Sequence, residues 1–418
     1  MQWLRNSKVK IIIGFLAVSI ALSSSTLRAN SIQNDEINEV SSLPVPMVGK
    51  AEAIKINSID EMNWYLSQMD EKELAATLKL FRVAQIVKGG YVGDVSMENL
   101  MSGAIKGTVS SLGDPYSVYM DPKMYKALMI ETKGSFGGVG IILGSKDNVL
   151  TVVAPIEGTP SAQAGILSGD QIIKIDGKDA NGLAIDEAVN LIRGAEGSSV
   201  LLTIGRIGQE NKEYHLVRSN IQIKTVSGKM LENNIGYIRL SMFNEHTGDD
   251  LSNKLKELEG QGMKKIILDL RNNPGGLLGE SIKVANYFVP QGPIVSVEGK
   301  DGTKKTSFST LEEIKYPLVI LVNGGSASAS EIVAGAVQDT GAGTLIGTKT
   351  FGKGSVQTVL SLDDSSAVKL TIAKYLTPSG RSIHGVGIEP DIVVEMSELK
   401  EDGHDLQLEK GIEVLSEK

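Results

Sequence analysis

The chain has 418 residues, long enough for two or three domains. At 41% hydrophobic and 22% charged it reads as a globular protein, and a net charge of -8 with no long basic run beyond the first residues argues against nucleic acid as a partner. There is no cysteine, which excludes disulfides, thiolate catalysis, cysteine-based zinc sites and a lipidated cysteine anchor.

In chain order, Arg5, Lys8 and Lys10 precede the apolar run Ile11–Leu22, and Ser23–Thr26 follow. A basic start, a short apolar stretch and a small polar exit describe a secretory signal, too short for the roughly 20 residues of a membrane span. Residues 1–30 are therefore read as a signal peptide, with an uncleaved membrane anchor as the alternative, and residues 31–50, with Pro44 and Pro46, as a linker. Residues 51–130 carry helical spacing at Leu74, Leu78 and Phe81 and again at Leu100, Ala104, Ile105, Thr108 and Val109. No chemistry is visible there. Asp114 reads as a turn residue, and the segment is expected to cap a site or pair two subunits.

Residues 131–219 alternate short strands and helices after a glycine-rich opening, Gly134 to Ile141. From 220 to 395 strands and helices alternate again, with two strand-turn-helix junctions. The first runs from Lys265–Leu270 through Arg271-Asn272-Asn273-Pro274-Gly275-Gly276 into a helix. Asp269 and Arg271 read as structural partners. The second runs from Leu318–Val322 through Asn323, Gly324 and Gly325 into Ser326-Ala327-Ser328-Ala329-Ser330, where helical spacing begins. Small side chains admit a substrate backbone, and free N–H groups at the helix start favour negative charge, so a serine here has an oxyanion site beside it. A base is offered by Lys353, set between Gly352 and Gly354, because a desolvated amine loses its proton readily and can then take one from a hydroxyl. Gln357 can hold such an amine without adding charge. By itself each motif is ordinary, a capped turn or a solvated hairpin tip; together they point to catalysis. Residues 396–418 read as a charged, frayed tail.

S-A-S-A-S-E at Ser326–Glu331 followed by F-G-K-G-S-V-Q at Phe351–Gln357 resembles the carboxyl-terminal processing peptidases, or tail-specific proteases. Leu112–Ser117, Gly138–Ile141, Asp269–Gly276 and Gly385–Asp391 are similar to further landmarks of that family, and the likeness covers about Ile56 to Val394. It implies an α+β multidomain fold: a helical amino-terminal segment, a circularly permuted PDZ domain and a crotonase-related α/β protease core. It implies Ser328 as nucleophile, Lys353 as base, Gln357 as the residue orienting the lysine, and N–H groups of Ala329 and of Gly275 or Gly276 as the oxyanion hole. The PDZ loop Gly138, Val139, Gly140 and Ile141 would take a chain-end carboxylate, with Val139, Ile141, Ala188, Leu191 and Ile192 around the terminal side chain or simply in the core. Arg193 is a candidate relay to the protease core.

The expectation is a serine endopeptidase that cleaves the carboxyl-terminal tails of extracytoplasmic proteins, itself secreted, periplasmic or anchored outside the cell membrane. No cofactor is implied. Expected partners are those tails, an activating protein and further copies of the chain. His215, His246, His384 and His404 show no metal-ligand spacing, so no metal is expected, and none lies near the serine or lysine motif in sequence, though triads are assembled in space. Two rivals remain, a non-catalytic tail-binding scaffold and a crotonase-like enzyme acting on acyl thioesters.

Overall fold

The computed structural model describes residues 48–50, 58–146, 149–395 and 404–417. The expected signal and most of the expected linker lie outside them. No helix among the described residues is long and apolar enough to cross a membrane.

A central sheet positions the site. Its order is Val226–Met230, Ile235–Leu240, Lys265–Asp269, Leu318–Val322, Thr344–Gly347 and Ile392–Val393, all neighbours parallel except the first pair. The apolar, β-branched runs suit strands covered on both faces. Alternation then sorts the side chains: Ile266, Leu268, Ile320 and Val322 face the helices Thr247–Gly260, Leu278–Ala285 and Ala329–Thr340, while Ile267, Val319 and Leu321 face the other way. That second face is covered by a helix at Leu406–Ser416, with Leu415 fully buried and Leu408 and Ile412 partly so. The expected frayed tail is thus wrong for these residues. Leu408, Ile412 and Leu415 recur at helical spacing, and burying that stripe outweighs the charge of the stretch before it.

A second, largely antiparallel sheet orders Ser355–Ser361, Ala367–Leu376, Gly292–Gly299 and Lys304–Ser309. Val118–Met120 adds to it beside Ala367–Lys369, and Val48–Lys50 pairs in parallel with Val359–Ser361, so the end of the expected linker is a strand. The module from Ile141 to Val217 has its own sheet and its own core around Val139, Ile172, Leu202 and Ile192. Antiparallel pairing of Ser135–Gly138 with Ser219–Gln222 clasps its entry to its exit.

The helices Ile59–Ser67, Glu71–Gly90 and Met97–Ser110 have sound caps, including an Asp70/Glu73 capping box, but almost no core. Only Ala84 and Val109 are buried in them, and the stripe expected to pack shows Leu78 at 60% and Phe81 at 54% exposure.

Candidate active site

The parallel strands Lys265–Asp269 and Leu318–Val322 are neighbours, so the turns after their carboxyl ends meet, where open α/β sheets carry their sites. Asn273 pins them together. Its carbonyl accepts from Ala327 N–H (3.0 Å) and Ser330 Oγ (2.9 Å), its Oδ1 accepts from Gly275 N–H (2.9 Å), and its Nδ2 donates to the Leu240 carbonyl (2.9 Å). Ser326 Oγ ties the other end of the turn to the Leu270 carbonyl at 2.8 Å. Both Ser326 and Ser330 are therefore structural, and Ser328 is the serine of the run that lines the cavity at this junction.

Ser328 sits immediately before the helix with φ 53° and ψ −111°, a strained conformation for a residue with a Cβ, of the kind found where a side chain must be thrust out of a sharp turn. Two buried side chains hold it there and hold Lys353 with it. The fully buried Glu331 carboxylate accepts four bonds: from Ser328 N–H (2.8 Å) and Lys353 N–H (2.9 Å) on Oε2, and from Thr350 Oγ1 (2.6 Å) and Gly352 N–H (2.7 Å) on Oε1. The Tyr375 hydroxyl donates to the Lys353 carbonyl (2.6 Å) and, more weakly, to the Ser328 carbonyl (3.2 Å). Burial, with Glu331 nearby, pushes the Tyr375 phenol well above its usual pKa, so it stays a donor.

Ser328, Ala329, Lys353 and Gln357 line one cavity of about 180 Å³ with Gly276 and apolar walls from Leu128, Met242, Phe243, Leu278 and Ile332. Burial is the main force lowering the Lys353 pKa below the usual lysine value, the Lys369 charge adds to it, and Asp114 and Glu331 oppose it. The Lys353 Nζ lies 5.0 Å from the centre of the Tyr116 ring, which is brought in by the turn where Asp114 accepts from Tyr116 N–H and Ser117 Oγ. Gln357 donates from Nε2 to Ser355 Oγ (2.9 Å) and Thr371 Oγ1 (3.2 Å), and no hydrogen bond to Lys353 occurs among the described residues. With both N–H groups engaged, the amide has only its oxygen left to offer an amine. His384 is edge-on to Tyr116 and lines a neighbouring cavity rather than the one that holds Ser328.

Gly275 and Gly276 separate in their roles. A Cβ on Gly275 (φ +99°) would lie 2.8 Å from Ser328 Cβ and 2.9 Å from the Ala329 nitrogen, so this turn runs directly against Ser328. Its own N–H is already spent on Asn273, whereas Gly276 N–H has no partner among the described residues and Gly276 lines the cavity. Ala329 is the first residue of its helix, one of the N–H groups that a helix leaves unsatisfied.

Asp269 and Arg271 form a buried pair (2.7 Å), as structural partners should, and Arg271 also reaches Asp405 at 2.7 Å and 2.8 Å. In the 131–219 module, Val139, Ala188 and Ile192 have their side chains in the core, because their positions face inward on strand and helix. Only Ile141, half-buried, and Leu191, at 39% exposure, remain open to a ligand, on neighbouring elements. Val139 and Gly140 keep N–H groups without partners among the described residues. Arg193 stacks on Phe136 at 4.0 Å. The reading of the sequence missed Glu331, Tyr375 and Tyr116. Ser328-x-x-Glu331 is a capping pattern and was a usable signal for the first; nothing local marks the other two.

A serine aimed from a strained turn at a helix start, with a desolvated amine and free N–H groups around it, defines a serine hydrolase site. Comparisons with known proteins point to the same class of enzyme. The peptidase family S41 model matches residues 234–394, a PDZ domain model 151–206, and the model described as the activating protease CtpB N-terminal domain 46–124. The chain is 43% identical over 361 residues to the carboxy-terminal-processing protease of Bartonella bacilliformis, covering 84% of this chain and 80% of that one. It is 42% identical over 320 residues to the carboxy-terminal processing protease CtpA of Bacillus subtilis, covering 76% and 69%. The solved photosystem II D1 C-terminal processing protease aligns at 30% identity over 81% of this chain and 96% of that one, with a TM-score of 0.45. The chain belongs to the carboxy-terminal processing proteases of peptidase family S41 and is a serine endopeptidase with a helical amino-terminal region, a PDZ domain and a protease core.

Proposed function

We propose that the enzyme works with a Ser-Lys pair, Ser328 and Lys353, on carboxyl-terminal tails of extracytoplasmic proteins. The observation that carries this reading is the double clamp: Glu331 takes the N–H groups of both residues and Tyr375 donates to both carbonyls, so nucleophile and amine are held as one unit at a common cavity. Neutral Lys353 accepts the Ser328 proton as Oγ attacks the scissile carbonyl. Ala329 N–H and Gly276 N–H stabilise the oxyanion, and Gly275 shapes their approach. The Lys353 ammonium then protonates the leaving amine, and water, deprotonated by the same amine, releases the acyl group. Gln357 offers its amide oxygen to the amine without adding a charge that would keep it protonated.

The division at residues 51–130, 131–219 and 220–395 follows the clasp and the separate cores. In the PDZ module, N–H groups around Gly138, Val139, Gly140 and Ile141 take the tail carboxylate, and Ile141 and Leu191 contact its last side chain. The exposed apolar stripe of the amino-terminal helices supports a protein partner there, a second copy or an activator. The basic-then-apolar start supports an extracytoplasmic site of action. Digestion of casein by wild type, Ser328→Ala and Lys353→Ala tests the pair: both variants should be inert while still binding tails. Normal turnover by Lys353→Ala would remove the base, and capture of chains on Ser328→Ala would identify the natural substrates.

A further inference from the structure

The catalytic cavity contains a second amine that this hydrolytic scheme leaves unused. Lys369 lies on the strand Ala367–Leu376 opposite Val359, in the register that sets Gln357 opposite Thr371. Residues two apart on a strand share a face, so Gln357, Val359 and Lys369 come to one wall, and all three line the cavity with Lys353. Lys369 is half-buried and forms no ion pair among the described residues. Like charges in one cavity repel, so a charge on Lys369 works against a second one on Lys353.

The other groups facing Lys353 can be named element by element. Glu331 comes from the helix Ala329–Thr340, Asp114 and Tyr116 from the turn after the helix Met97–Ser110, and Tyr375 from the same strand as Lys369. Glu131, on the helix Pro122–Lys133, lines the cavity while exposed to solvent and is paired with neither lysine. Two carboxylates thus favour a charged Lys353, and their pull is opposed by burial first and by Lys369 second. Of the two amines, Lys353 is the one held by its backbone beside Ser328.

We infer that Lys369 is a tuning residue for the base: its positive charge, set in the same cavity, works against a second positive charge on Lys353 and so favours the amine that can take the Ser328 proton. The inference rests on the reading of Lys353 as base. The same repulsion serves the return step, since an ammonium formed on Lys353 beside Lys369 hands its proton more readily to the leaving amine. Lys369 itself transfers no proton.

The test uses the full chain with Ser328→Ala, its lysines reductively methylated with a carbon-13 label, and Lys353 assigned by the resonance missing in Lys353→Arg. In Lys369→Met the Lys353 resonance should titrate roughly one pH unit higher, as expected for removal of one nearby like charge. In Lys369→Arg it should titrate as in the parent. In Ser328 enzymes cleaving an internally quenched peptide, Lys369→Met should lose about tenfold in kcat/KM on the acid limb, with the loss shrinking as pH rises. A Lys353 titration unmoved by Lys369→Met, or moved equally by Lys369→Arg, would overturn the inference. A titration that moves while the rate profile stays fixed would uphold the coupling and instead remove Lys353 as the base.

Discussion

Replacing Glu331 by glutamine exchanges one of two oxygens, each accepting two bonds, for an NH₂ group. Whichever way the amide is turned, a donor then faces two donors. Turned toward Ser328 and Lys353, it orphans both of the N–H groups that align the pair. Turned toward Thr350 and Gly352, it can donate to the Thr350 hydroxyl, which already accepts from Ile388 N–H, while Gly352 N–H and the turned-away Thr350 O–H lose their acceptor. The second arrangement is the cheaper. Leaving one buried donor unpaired costs about 1–3 kcal/mol, and bonds to a charged acceptor are stronger than those to an amide. Ser328 in addition occupies a strained conformation that costs about 1–3 kcal/mol and persists only while its surroundings enforce it. Glu331→Gln should therefore lower kcat about tenfold to a hundredfold, the equivalent of about 1.4–2.8 kcal/mol, with KM little changed and the melting temperature reduced. Glu331→Ala, which orphans all four donors, should be inactive. Steady-state cleavage of a quenched peptide alongside thermal denaturation followed by circular dichroism measures both quantities. Wild-type kcat and melting temperature in Glu331→Gln would show that the double clamp does not hold the pair.

Other outcomes follow from the same geometry. With Lys353 as the proposed base, the acid limb of kcat/KM should fall below the ordinary lysine range, because its pKa is lowered, first by burial. Between that lowered value and the unfolded one, the unfolded chain binds the extra proton, so stability rises with pH across this window and the deficit is fully present below it. Lys353→Met should accordingly melt higher than wild type near neutral pH, and a lower melting point would contradict the burial argument. Gly276→Ala places a Cβ 2.1 Å from the Phe243 carbonyl oxygen at φ +143° and should cost about 10²–10³ in kcat through the oxyanion hole. Gly140→Ala, whose Cβ would lie 2.2 Å from Thr159 Oγ1, should weaken capture of tail peptides measured by fluorescence anisotropy. A variant that binds tails normally would clear the loop of that role.

What could be read in advance was what local chemistry dictates. The runs Ser326–Ser330 and Gly352–Gly354 declare turns and close approach through residue size alone, and the two glycine-bearing junctions announce where strands end. Glu331 was harder, because its partners at 350, 352 and 353 arrive only through tertiary folding; as text it is one more acid in a first helical turn. Lys369 reads as an ordinary strand residue until its register places it opposite Val359. Leu78 and Phe81 carry a correct helical pattern that says nothing of what covers it. Val139 and Ile192, taken as candidates for a ligand wall, face the interior, since inward positions on a strand or helix look alike whether they meet peptide or core.

The helix Leu406–Ser416 has a bearing on when the protease core is complete. Asp405 completes the buried pair on Arg271, five residues before Gly276 in the same turn, and Leu415 closes the far side of the parallel sheet. A ribosome releases a chain from the amino end onward, so this core keeps an open apolar flank until residues 406–416 have emerged. A chain halted before residue 404 should bind a dye such as ANS on that flank and cleave poorly, so protease activity would wait on the docking of this helix.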